Sequence, residues 1–81
     1  MTIELRLQQV TQEPDGLYSV YTNVFETETG KILAKKCVQG ANKTEIKDAL
    51  RPFWTKSKTM YATYQAIKAA AEAALDELEA E

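Results

Sequence analysis

The apolar residues of this chain keep two rhythms, and the change between them falls at Gly40. Ahead of it they recur at every second position, the period of a strand; behind it they recur at every third or fourth, the period of a helix. A chain written this way lays down a sheet first and covers it afterwards.

Within the first part, Ile3, Leu5 and Leu7 point one way while Thr2, Glu4, Arg6 and Gln8 point the other, and Val10 then falls out of phase. A bulge near Gln9 accounts for the slip. In the stretch EPDG, Pro14 presets φ for the first corner of a turn and Gly16 is free to take positive φ, as a type I turn with a bulge requires. Residues 17–27, LYSVYTNVFET, are rich in β-branched and aromatic side chains and hold no Gly or Pro, which favours a second strand. TETGK closes another hairpin at Gly30, and KILAKKCVQ supplies a third strand. No crossover helix separates the strands, so the expected sheet is an antiparallel meander with 17–27 in the middle.

Beyond Gly40, Asn42 and Glu45 have the spacing of a reciprocal helix cap, and Ile46, Ala49, Leu50, Phe53 and Trp54 form one apolar stripe. Pro52 has no N–H to donate and would crowd the carbonyl of Asp48, so a short helix is expected to end or kink near Leu50. Thr55, Ser57 and Thr59 offer new caps for a long second helix. The predicted fold is therefore α+β, a single domain over 1–81 in the order βββαα, with strands at about 2–11, 17–27 and 31–39 and helices at about 43–51 and 58–78. In the long helix, Met60, Tyr64, Ile67, Ala71, Leu75 and Leu78 share a narrow sector expected to face the core. Gln65, Lys68, Glu72, Asp76 and Glu79 form a polar flank. Ala62, Ala66, Ala69 and Ala73 make a far stripe, read either as helix filler on a solvent face or as a close helix contact.

The middle strand places Tyr18, Val20 and Val24 on one face and Leu17, Tyr21 and Phe25 on the other, with Leu33 and Cys37 of the third strand assigned to that second face. One helix covers only one face. A second copy of the chain, or the 43–54 segment folded back, would have to cover the other, because large exposed apolar patches are unusual on a monomer. The sequence thus favours a homodimer, with Leu17, Tyr21, Phe25, Leu33, Ala62, Ala66, Ala69 and Ala73 as candidate interface residues.

Chemistry narrows the field further. There is no histidine, which removes the commonest general base and metal ligand, and one cysteine, Cys37, builds neither a disulfide nor a zinc site. The glycines punctuate turns and form no phosphate-binding loop. The expectation is a non-catalytic protein without cofactor, of the scale of small bacterial or phage-type inhibitors and regulators. A lone cysteine and the lack of a long apolar run point to the cytoplasm and away from a membrane.

Charge is segregated. Residues 1–30 carry one base against five acids, 31–60 eight bases against two acids, and 61–81 one base against five acids, although the net charge is only −2. Self-association of acidic with basic parts fits this layout. The alternative reading is a small DNA- or RNA-binding regulator in which Lys35, Lys36, Arg51, Lys56 and Lys58 reach phosphates while Trp54 stacks on a base. Lysines along a sheet edge and opposite an apolar helix stripe are more often solvated charge, so nucleic acid is the less favoured partner. Residues 18–50 resemble the amino-terminal DNA-binding domain of tyrosine-type phage integrases. Thr29, Gly30 and Lys31 match the hairpin of that family, and Thr44, Glu45 and Ala49 its helix start. The resemblance implies a sheet that enters the major groove; here, however, the first two strands are acidic.

Overall fold

The structure is a computed structural model and describes residues 2–81. Three antiparallel strands, β1 (Ile3–Gln12), β2 (Tyr18–Glu26) and β3 (Ile32–Gly40), form a sheet in the order β1-β2-β3, followed by one helix, α1 (Lys43–Glu79). The meander is as the sequence predicts. In the β1–β2 turn the Gly16 N–H donates to the Glu13 carbonyl at 3.1 Å, and Gly16 takes φ +87°, a conformation closed to most side chains.

Two bulges decide which side chains share a face. On β1 the register shifts between Leu7 and Gln9, so Val10 pairs with Val20 and rejoins the face of Ile3, Leu5 and Leu7. On β3 the shift lies beside Leu33: Ala34 pairs with Val24 while Ile32 pairs with Phe25. Leu33 is the extra residue and turns into the cleft beneath α1, alongside Val24 and Ala34. That corrects its expected place beside Cys37, because strict alternation does not survive an inserted residue.

The helix is continuous where two were expected. Asn42 caps it, its Oδ1 accepting from the Glu45 N–H at 3.0 Å, and the Glu45 carboxylate accepts in turn from the Ala41 N–H at 2.9 Å. Pro52 lies inside α1 without ending it. Three reasons account for this. The carbonyl that Pro52 leaves without its helical partner belongs to Asp48, which is exposed and can be hydrated. Arg51 and Asp48 pair across one turn at 2.9 Å. The apolar stripe also runs in phase through the proline, with Ile46 and Leu50 before it and Phe53 and Trp54 after it all half-buried, so packing on both sides offsets a local cost of about 3 kcal/mol.

The core lies between α1 and one face of the sheet and is small: Ile3, Val20, Val24 and Val38 are its buried apolar residues. Gly40 brings chain and helix together, since a Cβ there would stand 2.9 Å from Ile46 Cγ1 and 3.1 Å from the Ile46 nitrogen. From that corner α1 runs back over β3 and the adjoining part of β2. Its 37 residues reach about 55 Å, whereas strands of nine or ten residues span about 30–34 Å. The helix overruns the sheet, and the molecule measures 64 × 20 × 17 Å.

Candidate interaction surface

Where α1 leaves the sheet, polar side chains hold it. The Tyr61 hydroxyl hydrogen-bonds Thr2 Oγ1 and accepts from Gln65 Nε2 at 2.6 Å. Glu26, buried at the end of β2, accepts from the Thr29 hydroxyl. That bond chiefly, with the Tyr61 hydroxyl and then the ammonium groups of Lys68 and Lys31, holds its carboxyl below the ordinary range despite burial. Among the described residues every buried side-chain nitrogen and oxygen has a partner. Strand, hairpin and helix meet in this one clasp.

Past the clasp, α1 has nothing of its own chain beneath it. Residues 65–79 add roughly 22 Å of helix. The sector that seats Ile46 and Leu50 continues through Ile67, Ala71, Leu75 and Leu78, and Ile67, Leu75 and Leu78 are 64%, 59% and 62% exposed. The expectation that Met60, Tyr64, Ile67, Ala71, Leu75 and Leu78 face the core is therefore corrected: Met60 and Tyr64 line an open cleft above Val24 and Ala34 and are 61% and 54% exposed, and beyond them the sheet is too short to meet the stripe. Ala62, Ala66, Ala69 and Ala73 lie on the opposite side of the helix, also exposed.

A second uncovered region lies beside the helix. Because α1 sits over β3 and β2, the stretch of β1 beyond the buried Ile3 is left without cover, and its helix-facing Leu7 and Val10 are 64% and 49% exposed. Between β1 and the first turns of α1 is a groove of about 520 Å³ with Leu5, Ile46, Leu50 and Trp54 along it and Lys43, Lys47 and Arg51 at its rim. No spacing rule marked it, since it depends on where across the sheet the helix comes to lie.

The far face of the sheet is less apolar than the middle strand implied. Ser19 and Asn23 are buried among its polar neighbours, with the Ser19 hydroxyl donating to Glu13 at 2.7 Å, and the Arg6 guanidinium lies 3.5 Å from the centre of the Phe25 ring. Phe25 and Leu17 are half-buried, while Tyr21 and Ile32, the latter paired with Phe25 on this face, are 42% and 48% exposed. The same face carries Glu4 and Arg6 paired at 2.6 Å.

Of the residues of the nucleic-acid reading, Arg51, Trp54 and Lys58 share one flank of α1 and the others lie apart from them. Lys35 lies on the far face, while Lys36 shares the helix side with its pairing partner Thr22. Arg51 is engaged by Asp48, and Trp54 is half-buried with the Lys58 ammonium 5.8 Å from the centre of its ring. Lys56 is exposed on the flank of α1 away from that groove.

Surface area sums up the situation. The chain exposes 6039 Å², whereas a compact monomer of 9.1 kDa would expose about 4,900 Å². Its radius of gyration is 17.6 Å against roughly 12 Å for a compact domain of this length. No helix among the described residues is long and apolar enough to cross a membrane. Comparison with protein-family models, curated proteins and solved structures finds no match to this chain.

Proposed function

We propose that the protein is a non-catalytic interaction module that acts as a homodimer, joined through the apolar stripe of α1. The observation that carries this reading is the surplus of exposed surface, about 1,100 Å² beyond a compact monomer, in a chain that leaves Ile67, Leu75 and Leu78 of α1 and Leu7 and Val10 of β1 exposed. A standard protein–protein contact removes about 800 Å² from each partner, so the surplus is of the size that pairing disposes of.

Sedimentation at two salt concentrations, with and without a fluorescent oligonucleotide, tests this. The expected result is a particle near twice 9.1 kDa that leaves the oligonucleotide free at moderate salt. A monomer that persists at high micromolar concentration would refute it.

A further inference from the structure

We propose that two copies pair with their helices antiparallel, so that the projecting half of each α1 lies on the partner's sheet, in the groove between β1 and the partner's seated half-helix. This rests on the homodimer reading and names the contact that makes it.

Charge placement gives the orientation. On the flank of α1 that faces the β1 groove, the first half carries Lys43, Lys47 and Arg51. On that same flank the second half carries Glu72, Asp76 and Glu79, all exposed. Over 43–60 the helix has five bases against two acids, and over 61–79 one base against four acids. A parallel pair would set like charge on like charge. An antiparallel pair with its two-fold axis between Tyr61 and Ala62 brings Lys47 opposite Asp76 and Arg51 opposite Glu72, with Lys43 near Glu79. Each contact then occurs twice, as a closed two-fold interface requires.

Shape and length agree with the charges. The apolar sector of the projecting half comes down over Leu5, Leu7 and Val10, the β1 residues that α1 of their own chain leaves uncovered. Leu5 to Val10 spans about 17 Å of strand, against roughly 22 Å of projecting helix. The helix end also lacks a partner of its own. Its last turn has no basic residue to meet the negative end of the helix dipole, and the antiparallel arrangement supplies Lys43 and Lys47 of the other copy.

The test uses the full chain in two ways. In a Cys37→Ser background, Lys47→Cys with Asp76→Cys places both thiols on one helix, roughly 43 Å apart, so they cannot bridge within a chain. Mild oxidation is expected to yield a covalent dimer. Separately, reversing Lys43, Lys47 and Arg51 to Glu, or Glu72, Asp76 and Glu79 to Lys, should weaken dimerisation at least tenfold. An equimolar mixture of the two variants should regain it, because both contacts are again between opposite charges. Circular dichroism confirms that each variant keeps its helix, and the cysteine pair, which alters only exposed positions, decides the matter if a charge variant does not. A dimer that yields no cross-link, or that is indifferent to either reversal, overturns this geometry and leaves the homodimer standing. A monomeric unsubstituted chain overturns both.

Discussion

Residues 43–58 and 65–79 of α1 belong to one unbroken helix and carry one apolar stripe, yet the first stretch rests on the sheet while the second stands clear of it. Helical propensity does not separate them; the second, rich in alanine, is the better helix former. What differs is the partner surface. The seated half has Val20, Val24 and Val38 beneath it, and the projecting half has only what another molecule can bring. Amphipathicity therefore specifies that a helix will bury one side, and the dimensions of the sheet specify how much of that burial is internal.

The contrast can be broken most sharply at Val24, which is 1% exposed. Val24→Ala removes packing beneath the seated half and should lower stability by about 2–3 kcal/mol at every protein concentration, measured by urea unfolding. Gly40→Ala comes next. Its new Cβ would press on the Ile46 side chain and backbone, forcing the start of α1 off the sheet at a cost of about 1–3 kcal/mol by the same measurement. Leu75→Ala makes the opposite case. For dilute monomer it should change stability by less than ~0.5 kcal/mol, while the concentration dependence of unfolding seen in the unsubstituted chain should fall away. If Leu75→Ala is as harmful as Val24→Ala in dilute solution, the two halves do not differ as described.

The smallest effect is a pH dependence at the boundary between the halves. Glu26 has a folded-state pKa held below its unfolded value, chiefly by the Thr29 hydroxyl. Its contribution is thus complete above the unfolded value of about 4.3 and is lost as pH falls through the lower folded value. Acid titration of stability should show this loss, and Glu26→Gln should remove it.

Much of the fold was legible because it rests on local rules. The strands, both hairpins, the bulge after Leu7 and the Asn42 cap each follow from a few adjacent residues. Pro52 reads locally as a helix end, yet its penalty is outweighed by packing on both sides of it, which only the assembled sheet supplies. Leu33 was placed on the wrong face because one inserted residue inverts everything before it in the strand, and nothing in KILAKK announces the insertion. On the far face of β2, alternation counts Phe25 as open apolar surface but does not see Arg6 lying across it. As for the candidate surface, the charge segregation along the chain was visible, whereas the groove beside β1 arises from the lateral position of the helix and has no signature in spacing.

The contact among Thr2, Tyr61, Gln65, Glu26 and Thr29 lies where the supported part of α1 ends, and so acts as a fulcrum. An arm of some 22 Å extends from it, so a tilt of a few degrees there displaces the tip by an ångström or more, enough to spoil side-chain registry at Leu78. A loss of hydroxyl groups at this pivot would leave the sheet intact and blunt the aim of the arm.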